Sequence, residues 1–276
     1  MFKKVCLLLA LALLLGAFFA GCGGSGNSGG GNEGGGDETA KFVCGVTLYE
    51  PMNFKDSAGN WTGFDTEFAL LVGDIMGMEV EFQEIEWSQK YTELASGAID
   101  AIWNGFTANA SESDGTPRVE LVDMSYAYMN NQQCVVVKVE NAASYTSEDD
   151  LNGKIIAVEA GSAGDSYVSE NIENAGEVVG APAQINTFLE VKSGAADCAV
   201  VDFLLANRLA GSGDYAGLVI ADIELDAEVY AVGFRKGDSL RDEVNGVMEQ
   251  LYNDGTLESL AEKYGLENYL ILTENY

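Results

Sequence analysis

No histidine occurs anywhere in the chain, so Ser-His-Asp and Cys-His triads, imidazole general bases and His-ligated metals are excluded. Cys44, Cys134 and Cys198 lie outside any CxxC metal spacing, and each stands among β-branched or small apolar residues, as buried thiols do. A Cys44–Cys134 disulfide remains open at this stage. The carboxylates that could work as general acid or base are Glu50 and Asp202. Only four arginines occur, and Arg118 is the one that follows the acidic run Ser111-Glu112-Ser113-Asp114-Gly115. A guanidinium grips both oxygens of a carboxylate at once, which makes an arginine the natural partner of a carboxylate ligand. Arg118 reads equally as a surface residue of an acidic loop.

The elements that would position these residues repeat. Glu93-Leu94-Ala95-Ser96-Gly97-Ala98-Ile99-Asp100-Ala101-Ile102 returns as Glu190-Val191-Lys192-Ser193-Gly194-Ala195-Ala196-Asp197-Cys198-Ala199, an offset of 97 residues from Glu93 to Glu190. Each copy reads as a helix end, a Ser-Gly stop and a buried strand. The period is too long for a solenoid. Two similar α/β lobes with a cleft between them explain the repeat, although helix-to-strand corners are common in α/β folds generally.

Phe42 to Thr47 reads as the first strand. Asp65 reads as the N-cap of a helix with Phe64, Phe68, Leu71, Val72, Ile75 and Met76 on one face. Glu79 to Ile85 alternates as a strand, Trp87, Tyr91 and Leu94 share a helical face, and Ile99 to Trp103 is a buried strand. Strand, helix, strand, helix, strand is the grammar of a parallel sheet. Residues 104–119 read as a loop. Cys134 to Val139 and Val229 to Phe234 read as two strands crossing between the lobes. Between them lie Ile155 to Val158, a helix from about Ser162, the second corner, and Leu218 to Ile220. Leu240, Val244, Val247, Met248 and Leu251 then mark a helix that returns to the first lobe, and Leu257, Leu260 and Tyr264 a shorter one.

Lys3 and Lys4, an apolar run from Val5 to Phe19, and Ala20-Gly21-Cys22 describe a secretory signal over 1–21. The run is too short for a comfortable membrane span. The cysteine at the cut resembles a bacterial lipobox, which implies lipidation of Cys22. Residues 22–40 form a Gly-rich tether of roughly 23 Å r.m.s. reach. Without Lys3 and Lys4, 12 of the 14 basic residues remain against 44 acidic ones, so nucleic acid and anionic membrane surfaces are poor partners.

Several phrases, in this order and spacing, resemble an extracytoplasmic solute-binding lipoprotein of a polar amino-acid ABC importer, bacterial solute-binding protein family 3. They are Tyr49-Glu50-Pro51-Met52-Asn53-Phe54, Gly63-Phe64-Asp65, Ser96-Gly97-Ala98-Ile99-Asp100, Asn104-Gly105-Phe106-Thr107, Gly153-Lys154, Gly161-Ser162, Ala231-Val232-Gly233-Phe234-Arg235-Lys236-Gly237 and Asp254-Gly255-Thr256. The resemblance covers Phe42 to about Leu266. It implies an α/β, two-lobe periplasmic-binding-protein-like fold, each lobe a mostly parallel sheet flanked by helices, joined by two hinge strands. Lobe 1 is expected at 41–131 and 233–276, and lobe 2 at 132–232.

The resemblance also implies a ligand site. Arg118 takes the α-carboxylate, with the hydroxyl and N–H of Thr107. The carbonyl of Asn104 or Gly105 accepts from the ammonium. Ser162 and Ala163 open a helix whose dipole favours an anion. Asp202 holds the ammonium, although it reads as a helix cap too. Tyr49 and Trp87 match positions whose rings flank the ligand, and Trp87 also fits the apolar stripe of its helix. Glu50 could face a basic ligand side chain, and Phe54 shapes the pocket. The gap from Thr107 to Arg118 exceeds the family's, with Ser111 to Thr116 reading as an insert.

The expected function is reversible capture of a polar amino acid and delivery to a membrane permease by hinge closure. No catalysis, cofactor or metal is expected. The protein is expected to be a monomer, lipid-anchored to the outer face of the cell membrane. Two other readings remain: a sensor module, which would need a separate membrane partner, and a dehydratase-like enzyme, which would have to work through Glu50 or Asp202.

Overall fold

The computed structural model describes residues 39–276. The signal at 1–21, the lipidation at Cys22 and all but the last two residues of the tether lie outside them. In chain order the elements are β1 (Lys41–Val46), β2 (Phe54–Lys55), β3 (Trp61–Thr62), α1 (Phe64–Met76), β4 (Glu79–Glu84), α2 (Lys90–Ser96), β5 (Ala101–Thr107), α3 (Arg118–Leu121), β6 (Asp123–Met124) and β7 (Ala127–Lys138). They continue with β8 (Ile155–Glu159), α4 (Ala163–Asn171), β9 (Glu177–Ala181), α5 (Gln184–Ser193), β10 (Cys198–Asp202), α6 (Phe203–Leu209), β11 (Leu218–Ile220), β12 (Ala227–Phe234), α7 (Leu240–Asn253), α8 (Thr256–Tyr264) and β13 (Leu270–Thr273).

The main sheet path is β4-β1-β5-β12-β7-β10-β8-β9. Its two ends are parallel: β1 pairs with β4 and β5, and β8 with β9 and β10. These are the two βα lobes. Its middle is antiparallel, where β12 meets β5 and β7, and β7 meets β10. Strand β7 belongs to both halves. Residues 129–132 pair with β12, and residues 133–137 pair with β10. β7 and β12 are therefore longer than the crossing strands read from sequence, because Ala127 and Ala227 already carry ladder positions.

The repeat is realised atom by atom. Gly97 and Gly194 end α2 and α5 in the left-handed region, at φ 77° and 84°, which a Cβ would disfavour. Ser96 Oγ donates to the Glu93 carbonyl at 2.9 Å, and Ser193 Oγ to that of Glu190 at 3.0 Å. Asp100 exchanges two bonds with Val43: its N–H donates to the carbonyl at 2.7 Å and its carboxylate accepts the N–H at 3.0 Å. Asp197 does the same with Ile155 at 2.8 and 2.9 Å.

Three sequence readings need correction. Asp65 is not a cap. It lies inside the first turn of α1, fully buried, and Gly63 holds the N-cap. Its carboxylate accepts from the Gly105 N–H at 2.7 Å and the Tyr128 hydroxyl at 2.9 Å, while burial raises its pKa to about 7. Residues 104–119 are not all loop: β5 runs to Thr107 with all seven residues buried, and α3 begins at Arg118. Ile75 is 43 % exposed, because α1 turns it away from the core formed by Phe68, Trp103 and Tyr128. Cys44, Cys134 and Cys198 are free, buried thiols.

Candidate functional site

The end of β5 is built for close approach. Gly105 sits at φ 55°, and a Cβ there would lie 2.6 Å from a Tyr49 ring carbon and 3.0 Å from one of Tyr230. The two hydroxyls of Tyr49 and Tyr230 are 2.5 Å apart, with the rings edge to face. Asn104 is buried and fixed by its neighbours. Its amide donates to the Thr47 carbonyl at 3.1 Å and to Asn53 Oδ1 at 2.7 Å, and its Oδ1 accepts from the Thr47 hydroxyl at 2.7 Å.

Two cations stand beside this strand end. Arg118 is 1 % exposed, with its guanidinium 5.0 Å from the centre of the Phe106 ring. Its Nη1 donates to the Thr107 carbonyl and its Nη2 to that of Gly161, each at a long 3.4 Å. Lys90 is also 1 % exposed. Its ammonium donates to the Gly161 carbonyl at 2.9 Å and lies 4.5 Å from the Tyr91 ring centre. Burial, then the neighbouring Arg118 charge, lowers the Lys90 pKa to about 8. Both cations reach Glu112: Arg118 Nε donates to it at 2.9 Å and Lys90 Nζ at 3.4 Å, with the Tyr91 hydroxyl at 2.6 Å. Burial pushes the Glu112 carboxyl up, but these two positive charges more than offset it and leave its pKa below the usual value.

Across from them lies a buried acidic group. Asp202 ends β10 and accepts from Asn131 at 2.9 Å, Gln133 at 2.7 Å and Gln184. Glu228 on β12 accepts from the same Asn131 and Gln133 amides at 2.9 and 3.0 Å, and from the Thr107 hydroxyl at 3.2 Å. Burial, and then the Asp202 charge, raises the Glu228 pKa to about 8, and the same two causes raise that of Glu159, at the end of β8, to about 8. Burial raises that of Asp202 also. Glu159 Oε1 and Gln133 Oε1 are buried acceptors without a hydrogen-bond partner among the described residues. A cavity of about 280 Å³ adjoins this group at Glu228, with Ser111, Ala163, Ser166, Tyr167 and Asp226 also on its wall.

The structure therefore brings Tyr49, Asn104, Gly105, Thr107, Arg118 and Asp202 into one buried network. Ser162 caps α4, and its hydroxyl accepts the Asp165 N–H at 3.1 Å, which commits it to the helix. Ala163 follows in the first turn and faces the cavity. Trp87 packs edge-on against Phe106 at 5.9 Å within the core. Glu50 is turned to Arg208, whose Nε donates to it at 2.8 Å.

The sequence profile of the bacterial extracellular solute-binding proteins, family 3, matches residues 42–267. The chain belongs to this family. Among relatives of this family 3 protein, the arginine-binding extracellular protein ArtP of Bacillus subtilis is 29 % identical over 227 residues, covering 81 % of this chain and 86 % of that one. A solved ancestral arginine-binding protein bound to arginine is 31 % identical, with a TM-score of 0.74, over 82 % of this chain and 98 % of that one. An ABC uptake transporter substrate-binding protein from Streptococcus pneumoniae with bound histidine is 30 % identical, with a TM-score of 0.73, over 81 % and 92 %.

Sequence reasoning missed Lys90, Glu112, Asn131, Gln133, Glu159, Gln184 and Glu228 in this solute-binding protein. One signal was available. In Asn130-Asn131-Gln132-Gln133, which leads into Cys134 to Val137, alternate polar residues of a strand must face inward, and Asn131 and Gln133 are the two that do. Glu112 and Glu228 carry no such mark.

Proposed function

We propose that the protein captures an extracellular polar amino acid between its lobes and delivers it to the membrane permease of an ABC importer. The observation that supports this most is the charge pairing across the buried network. Arg118 and Lys90 are buried near Asp202, Glu228 and Glu159, and the Arg118 charge reaches all three acids. A zwitterion that leaves water needs donors at its carboxylate and acceptors at its ammonium, or desolvation costs several kcal/mol. The Nη edge of Arg118, held only by two long carbonyl contacts, takes the carboxylate with Thr107. Asp202 and the unpartnered acceptor of Gln133 take the ammonium. Tyr49 closes one wall.

Asp202, Glu159 and Glu228 are buried near Lys90 and Arg118, and burial keeps Glu159 and Glu228 protonated up to about pH 8. A positively charged ligand side chain would favour their ionised forms and pair with them, so the reading favours basic amino acids. The arginine and histidine named for the relatives agree with it. The reading assigns no catalytic step: Glu50 is tied to Arg208, and Asp202 to three side-chain amides. Closure is a hinge motion about β7 and β12, with 41–131 and 233–276 moving against 132–232. Cys22 anchors a monomer by its lipid to the outer face of the cell membrane, at the end of the 22–40 tether.

The test is a thermal-shift screen of the purified protein against the twenty amino acids, ornithine and cystine. A ligand of the native state adds about 2.7 kcal/mol at a hundredfold excess over its Kd. Arginine, lysine, ornithine or histidine should give the largest shift. A screen without any shift overturns the amino-acid reading.

A further inference from the structure

Glu112 is the acid of the extra loop that turns inward, while Ser113, Asp114 and Gly115 are exposed. The loop is closed on itself. The Glu112 N–H donates to the Thr116 carbonyl at 2.8 Å, the Gly115 N–H donates to the Glu112 carbonyl at 2.8 Å, and Asp114 accepts the Thr116 N–H at 2.9 Å. Ser111 bridges to Pro117, and the Arg118 N–H donates to the Ala110 carbonyl at 3.0 Å. Gly115, at φ 82°, makes the turn. Glu112 thus rides on a fixed stem that starts and ends beside Arg118.

Its two oxygens are divided. Oε1 takes Arg118 Nε and the Tyr91 hydroxyl, and Oε2 takes Lys90 Nζ. The contact uses the Nε edge of Arg118 and leaves the Nη edge to a ligand. Lys90 and Arg118 are two buried positive charges, whereas the α-carboxylate of an amino acid carries one negative charge. Without Glu112 the surplus would suit a second carboxylate.

We infer that Glu112 sets the charge class of the ligand: it supplies from the chain itself the carboxylate that Lys90 would otherwise take from a dicarboxylic amino acid, so the site rejects glutamate and aspartate. The inference rests on the amino-acid reading above.

Titration calorimetry of the purified protein and its Glu112→Gln variant with L-arginine, L-histidine, L-glutamine and L-glutamate tests it. The parent should bind arginine or histidine, and glutamate at least a hundredfold more weakly. Glu112→Gln should gain tenfold or more for glutamate with no gain for arginine, and Lys90→Met added to that variant should abolish the gain. Unchanged glutamate affinity in Glu112→Gln overturns the inference. An equal gain for all four ligands overturns it too, because Glu112 would then compete for the ligand's own place on Arg118. A parent that binds none of the four overturns this inference, and the amino-acid reading falls with it only if the thermal-shift screen is also blank. Should Glu112→Gln not fold, Glu112→Ala carries the test with the same two outcomes: a gain for glutamate without one for arginine supports the inference, and unchanged glutamate affinity overturns it.

Discussion

The two corners of the repeat fold alike and then diverge. Both stop a helix with Ser-Gly, and both lock an aspartate onto the neighbouring strand with the same two bonds. The offset of 97 residues that relates them also places Gly105 against Asp202. At that position the first copy has no side chain, and its backbone lies against Tyr49 and Tyr230. The second copy presents a carboxylate to three amides. The corner is a mounting, and the chemistry begins one strand length beyond it. The corners also differ in bracing. Arg235 donates to the Ile99 carbonyl at 2.8 Å and to Asp100 at 3.1 Å, and among the described residues no arginine does this for Asp197.

If the two strand ends divide the ligand between them, the losses on mutation should divide too. The largest is expected for Arg118→Ala, on the order of 2–5 kcal/mol of binding by titration, because a buried carboxylate loses its partner. Binding as tight as the parent's would sink the carboxylate assignment. Asp202→Asn should weaken amino acids by about 1.5–3 kcal/mol but their deaminated analogues much less. Equal losses for both would remove its ammonium role.

The acidic side should also show in pH dependence without ligand. Glu159 and Glu228 hold their protons to about pH 8 when folded, against a reference of 4.5. A carboxyl with a raised folded pKa binds its proton more tightly in the native state, so its contribution is fully present below pH 4.5 and is lost as pH rises towards 8. Lys90, lowered to about 8, acts only above that window. Denaturant unfolding should therefore show stability falling from pH 5 to pH 8, by up to about 1.4 kcal/mol per pH unit for each carboxyl, with a shallower slope in Glu228→Gln. A flat or rising profile would break the assignment. The smallest effects separate the corners themselves. Asp100→Ala should cost about 1–2 kcal/mol of stability and Asp197→Ala about 1 kcal/mol or less. Equal costs would show that Arg235 contributes nothing to the first corner.

The corners were legible because every partner in them is local or lies on an adjacent strand, and Ser-Gly spells the stop. Arg118, Thr107 and Asp202 were assigned by resemblance to a family pattern. Asp65 was misread because a short polar residue before an apolar run looks like a cap, whereas its partners Gly105 and Tyr128 are distant in sequence. Glu112 looked like one solvated acid among several, since Lys90 and Tyr91, which draw it inward, belong to another element. Glu228 lies in a strand whose first residues alternate in burial, and sequence does not say that its neighbour across the ladder is Asn131. Long-range pairing decides each of these cases, and periodicity is blind to it.

Asn131 and Gln133 flank Gln132, the residue at which β7 changes partners from β12 to β10. The amides that hold Asp202 and Glu228 are therefore fixed to the pivot itself. If the lobes open about β7 and β12 as proposed, a twist of β7 would move both amides relative to both acids at once, and opening would coincide with loss of the proposed ammonium acceptor. Release would then follow the torsional stiffness of the two crossing strands, β7 among them. The lifetime of the bound state should respond to substitutions along β7 that touch no ligand atom.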